Sequence, residues 1–126
     1  MAVFDLKEFE RGIDKIISRR YSCSFMSNSK WRKFFRAINS QNLIFENMLI
    51  KRVGRESPYK TYVPDFDDIE ELWVSEGKND CNYFYKEIEW VMFDSKAESL
   101  KLLIKHLGHF ETSEVNNKLK VYGHKI

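Results

Sequence analysis

Apolar residues recur along this chain first at helical spacing and then at two-residue spacing. Leu6, Phe9, Ile13, Ile16 and Ile17 form one stripe, which predicts a helix over residues 6–19. Asp5 is a good N-cap with Glu8 three residues on, and Arg19 and Arg20 suit the negative end of the helix dipole. Gly12 inside this helix costs up to ~1 kcal/mol relative to Ala. Ser27 or Ser29 then caps a second helix. Its apolar residues Trp31, Phe34, Phe35 and Ile38 fall at i, i+3, i+4 and i+7, and Lys30, Arg32, Lys33 and Arg36 take the remaining surface. A third helix follows Ser95, which with Glu98 makes an S-x-x-E capping box. Leu100, Leu103, Ile104 and Leu107 point inward, and Gly108 ends the helix.

Between the second and third helices the pattern changes to strands. Residues 43–53 are too rich in β-formers to be a loop, and Gly54 and Ser57-Pro58 mark a turn. Tyr59 to Val63 reads as the partner strand, stopped at Pro64. A polar link from Asp65 to Asp68 leads into a strand at Ile69 to Ser75, and Glu76 to Asp80 reads as a turn. Tyr83 to Phe93 alternates acidic Glu87 and Glu89 with Ile88 and Trp90, as a half-buried strand does. Residues 110–122 suit a hairpin turning near Asn116-Asn117, a pair that tolerates positive φ. Short turns between consecutive strands imply an α+β fold: an antiparallel sheet of four to six strands with about three helices packed on it.

The 126 residues are expected to form a single domain, 1–126. Within it, residues 1–25 can be read as an N-terminal helical addition to a core of 26–126, since Met26 and the Ser27 cap make a natural start. No apolar run approaches the ~20 residues that span a bilayer, so no membrane partner is expected. The N-terminus lacks the basic-then-apolar order of a secretory signal. Cys23 and Cys81 show neither a disulfide framework nor metal-ligand spacing, so the expectation is a cytoplasmic protein with reduced thiols; a single long-range disulfide stays open.

Charge adds a feature that the total hides. Residues 1–60 hold 13 basic and 6 acidic side chains, and residues 61–126 hold 8 and 13, within a net charge of +2. Such an imbalance steers encounters with charged partners. Asp65, Asp67, Asp68, Glu70 and Glu71 concentrate five carboxylates in seven residues, beside the aromatic residues Tyr62, Phe66 and Trp73. This stretch reads as a solvated loop, as a surface complementary to a basic partner, or as a hard-cation site, although it lacks the EF-hand arrangement. Lys30, Arg32, Lys33, Arg36, Lys51 and Arg52 could instead neutralise phosphates, with Trp31 and Phe35 stacking on bases; the coherent apolar stripe favours core for those two rings.

Catalytic signatures are absent. There is no G-x-S-x-G elbow, no H-E-x-x-H and no phosphate-cradling Gly loop. His106 and His109 are three apart but straddle Gly108 without a third ligand, so no metal and no cofactor is expected. On an alternating strand, Glu87 and Glu89 would share one face and point outward.

Ser27-Asn28-Ser29-Lys30-Trp31-Arg32-Lys33-Phe34-Phe35 and Tyr85-Lys86-Glu87-Ile88-Glu89-Trp90-Val91 resemble stretches in small uncharacterised bacterial proteins. The whole chain resembles stand-alone immunity proteins made against delivered toxins. That resemblance implies a cytoplasmic, non-enzymatic inhibitor that binds one cognate toxin domain; it carries no catalytic residues. Asp65, Phe66, Asp67, Asp68, Glu70, Glu71, Tyr62 and Trp73 are the expected partner-binding residues, because acidic and aromatic groups suit a basic, substrate-binding toxin surface. The alternative is a small RNA- or DNA-binding protein using the basic residues of positions 30–55.

Overall fold

The computed structural model describes residues 5–75 and 82–126. Its elements in chain order are α1 (Leu6–Arg20), β1 (Cys23–Ser24), α2 (Asn28–Ser40), β2 (Met48–Arg52), β3 (Tyr59–Thr61), β4 (Trp73–Val74), β5 (Tyr83–Phe84), β6 (Ile88–Phe93), α3 (Ala97–Leu107), β7 (Thr112–Val115), β8 (Lys118–Tyr122) and β9 (His124–Lys125). Single 3-10 turns cover Phe66–Asp68 and Tyr85–Glu87.

The fold is α+β. Five strands form one antiparallel sheet in the order β3-β2-β6-β8-β7, while β1 pairs with β9 and β4 with β5 as separate two-stranded ribbons. In the main sheet Ile50 stands opposite Val91, Val91 opposite Val121, and Phe93 opposite Leu119. All of these are buried, and they meet Trp31, Phe34, Phe35 and Ile38 of α2 and Leu100 and Ile104 of α3 in one core. Each large side chain so buried contributes roughly 1.5–3 kcal/mol. The predicted stripe of α2 is therefore core, and Trp31 stacks on Phe35 rather than on an external ring.

Local chemistry explains most of the boundaries. Asp5 caps α1 by accepting from the Lys7 and Glu8 amides, and Ser27 caps α2 by accepting from Lys30. Asn116 and Asn117, with φ of 53° and 63°, make the two-residue β7–β8 turn that matches strand twist.

Several elements differ from expectation. Regular pairing in residues 43–53 is confined to Met48–Arg52, in 59–63 to Tyr59–Thr61, and in 69–75 to Trp73–Val74, with one further bridge from Ile69 to Val74. Residues 43–47 instead leave the end of α2, where the Leu43 amide donates to Ile38. The α3 capping box does not form: the cap position falls on Lys96, in a left-handed conformation with no side-chain cap. Its ammonium donates to the Ile44 carbonyl at 2.8 Å and lies over the Phe45 ring, which ties the α3 entry to the chain leaving α2. The turn expected at Glu76 to Asp80, and Cys81, lie outside the described residues.

The first 25 residues meet the rest at several points. Phe9 stacks on Phe84, Lys86 pairs with Glu10 and Asp14, and β1 pairs with β9. Among the described residues, no helix is long and apolar enough to cross a membrane.

Candidate functional site

The acidic stretch is a built ledge. Asp65 caps the 3-10 turn by accepting from the Asp67 amide, while the Asp68 carboxylate accepts from the Asp65 amide. Beyond the turn the Glu70 amide donates to the Trp73 carbonyl at 3.0 Å, and the Ser75 amide to Asp68 at 2.8 Å. Side chains from elsewhere fasten the same segment. Asn39 donates to the Pro64 carbonyl at 2.8 Å, Tyr85 donates its hydroxyl to the Glu70 carbonyl at 2.7 Å, and Arg32 donates to the Glu71 carbonyl. Burial pushes the Tyr85 hydroxyl up to about 12, against the pull of Arg32 and Arg36, so it stays a donor at neutral pH.

The backbone is thus fixed while the side chains face water. Tyr62, Phe66 and Leu72 are 57%, 55% and 43% exposed, and Asp65, Asp67, Glu70 and Glu71 are exposed around them. Burial raises the Asp68 carboxyl above its ordinary pKa; the Asp65 amide opposes this, and the charges of Asp65 and Asp67 add to it. Trp73 departs from this picture. It is half-buried edge-on against Phe84, which makes it a support under the ledge rather than a projecting anchor. Leu72, exposed beside it, was not expected.

The six basic residues do not share a surface. Lys30 donates to the carbonyls of Phe25 and His109, and Arg32 is committed to Glu71. Lys33 and Arg36 are exposed on α2. Lys51 pairs with Glu89 at 3.2 Å on the main sheet. Arg52 corrects the expectation most directly: it is 3% exposed and lies against Glu87, 1% exposed, with Nη2 2.5 Å from Oε1. Burial disfavours its charge, but the bonds to Glu87 and Tyr59 outweigh that and raise its pKa. It is a core cation, closed to phosphates.

Glu87 and Glu89 likewise part company, against the expectation that both face outward. The 3-10 turn at Tyr85–Glu87 carries Glu87 inward, where its second oxygen accepts from the Phe84 amide at 2.7 Å. A β-bulge then follows: Lys51 stands opposite Trp90 but Arg52 opposite Ile88, so Glu89 is the extra residue. The bulge aims Glu89 at Lys51 and at the Tyr21 hydroxyl, which donates to it. Burial, then the bond to Glu89, holds the Tyr21 hydroxyl far above its ordinary pKa.

His124, which carried no sequence signal, completes this corner. Its Nε2 lies 2.8 Å from the Lys86 carbonyl, an acceptor only, so that nitrogen bears the proton. Its Nδ1 therefore accepts from the Ser24 hydroxyl at 2.7 Å. Burial lowers the imidazole pKa, opposed by the Lys86 carbonyl and Glu89, and keeps the ring neutral. A hydroxyl against a neutral imidazole is half of a nucleophile–base pair. Here a main-chain carbonyl holds the position a carboxylate takes in a hydrolytic triad. The arrangement clasps β1, β9 and the 85–87 turn together. His106 and His109 are exposed, and among the described residues no three His, Cys, Asp or Glu side chains converge as a metal site.

The chain has no match among curated proteins or solved structures. A family profile covers residues 13–125, from the middle of α1 to β9, and so takes in the ledge, the Arg52–Glu87 pair and the His124 clasp. The protein belongs to this family, DUF6678, a family of unknown function.

Proposed function

We propose that this protein is a non-enzymatic binding module that neutralises a cognate bacterial toxin domain in the cytoplasm. The observation that carries the reading is the ledge at residues 62–72: three exposed apolar side chains and four exposed carboxylates on a backbone fastened from α2 and the 85–87 turn. A recognition surface held before contact loses less entropy on binding than a free loop. Aromatic anchors inside a charged rim match the anatomy of interface hot spots, and the negative rim selects a positively charged partner. The basic substrate groove of a toxin acting on an anionic polymer is such a partner. Tyr62, Phe66 and Leu72 would seat in it, with Asp65, Asp67, Glu70 and Glu71 against its cations.

The test is co-expression with the product of any toxin reading frame found next to this gene. Wild type rescues growth; Phe66→Ala and Asp67→Lys with Glu71→Lys weaken rescue. In association kinetics, charge reversal slows the on-rate on the order of ten-fold at low salt and leaves little difference at high salt. Full rescue by both variants removes the ledge from the interface, and failure of wild type to neutralise the neighbouring product removes the function.

A further inference from the structure

The main sheet has a second face. The residues alternating with the core positions are Leu49 and Lys51 on β2, Trp90 and Met92 on β6, and Lys120 and Tyr122 on β8. Cross-strand pairing sets them in two rungs, Lys51–Trp90–Tyr122 and Leu49–Met92–Lys120, and Lys60 of β3 extends the second. None of them is buried, whereas the facing core positions are closed by α2 and α3. α1 meets the rest at Phe84, Lys86 and Gly54, and its C-cap residue Tyr21 reaches Glu89 beside Lys51.

Its chemistry is specific. Trp90 and Tyr122 are neighbours across adjacent strands, with their rings partly open to water. Lys120 rests over Trp90 at 4.1 Å and over Tyr122 at 5.6 Å, and Lys125 rests over Tyr122 at 4.5 Å. The carboxylates nearby, Glu89 and Glu111, are held by Lys51 and Lys125. Lys60, Lys118 and Lys120 add cations along the same face, so the face is positive where the ledge is negative.

We propose that this face binds a single-stranded polynucleotide. Two bases stack on Trp90 and Tyr122, and Lys60 and Lys120 reach the phosphates on either side. Aromatic rings spaced across an antiparallel sheet and interleaved with lysines are the working parts of sequence-tolerant single-strand binding. A lysine lying on a partly exposed ring is held weakly enough for a base to take its place and send the ammonium to the phosphate. A duplex offers no free base faces, so the surface discriminates against it.

Lys60 and Lys120 lie outside the six-residue basic set expected from the sequence, and the site is independent of the ledge. The test is fluorescence anisotropy with labelled ten-nucleotide oligo-U and oligo-dT, and a duplex of equal length, at low salt. Single strands are expected to bind and the duplex to bind at least ten-fold more weakly. Trp90→Ala should lose on the order of ten-fold or more in affinity while Trp90→Phe retains most of it. Lys60→Ala with Lys120→Ala should lower the slope of log affinity against log salt by about 0.7 per lysine. The ledge variants should leave all of this unchanged. Circular dichroism confirms that each variant is folded. If Trp90→Ala does not fold, the decisive measurements are the Lys60 and Lys120 variants and quenching of tryptophan emission in wild type. No binding at low salt, equal binding of the duplex, undiminished affinity in folded Trp90→Ala, or closure of this face by a concentration-dependent dimer would overturn the proposal.

Discussion

Replacing Glu87 by Gln keeps the shape of the side chain and removes only its charge, which isolates the buried pair it forms with Arg52. In the folded protein one Glu87 oxygen accepts from Arg52 Nε at 3.2 Å and Nη2 at 2.5 Å, and the other accepts from the Phe84 amide at 2.7 Å. An amide cannot reproduce this set. In one orientation its NH2 faces the guanidinium, and in the other it faces the Phe84 N–H. Arg52 would then be a buried cation without its carboxylate, held by the Tyr59 hydroxyl 3.4 Å away and the Tyr83 ring beneath it. Breaking a buried pair from one side costs about 3–5 kcal/mol. For a chain of this length 1 kcal/mol moves the melting temperature by about 4 °C, so the loss is on the order of 10–20 °C. Replacing both partners by apolar residues, Arg52→Met with Glu87→Leu, should recover much of that, leaving about 1–3 kcal/mol for the orphaned Phe84 amide. The assay is urea unfolding of wild type, the single variant and the double variant. A Glu87→Gln protein within about 1 kcal/mol of wild type, or a double variant no more stable than the single one, refutes the reasoning.

Three further outcomes follow from the same corner of the molecule and from the ledge. The folded-state pKa of His124 lies below its unfolded value, so the unfolded chain takes up the proton first as pH falls through about 6.5. The stability carried by the neutral ring is therefore present above that pH and lost below it. Urea midpoints at pH 7.5 and 5.5 should differ more in wild type than in His124→Gln, and equal differences would contradict the clasp. At Gly123 a Cβ would stand 2.1 Å from the Ile88 carbonyl oxygen, so Gly123→Ala should destabilise by roughly 1–3 kcal/mol, read as a lowered melting temperature. Phe66→Ala should leave the unfolding free energy within about 0.5 kcal/mol of wild type, because the ring is exposed and its proposed role lies in contact with a partner. A larger loss would place Phe66 in the fold.

The amino-acid pattern determined the helices by itself. The stripe of Trp31, Phe34, Phe35 and Ile38, the caps at Asp5 and Ser27 and the Asn116-Asn117 turn are local effects, with causes lying within a few residues. The α+β class and the antiparallel sheet followed from short turns between β-rich runs. The ledge was legible as composition, and its exposed aromatics as neighbours in sequence. Strand lengths were not, because a strand exists only where a partner meets it. Residues 43–47 are β-rich and unpaired, while the sheet is closed by β6 and β8 from far along the chain. Nor could the partition of charges be read from spacing. Two-residue alternation places Glu87 and Glu89 together, but a 3-10 turn and one extra residue send the first into the core with Arg52 and the second to Lys51 and Tyr21. The clasp of His124 and the open lysine–aromatic face likewise unite residues that are distant in the chain. Local propensity is fixed by neighbours in sequence, whereas burial, ion pairing and the sharing of a face depend on which distant segments the whole fold brings together.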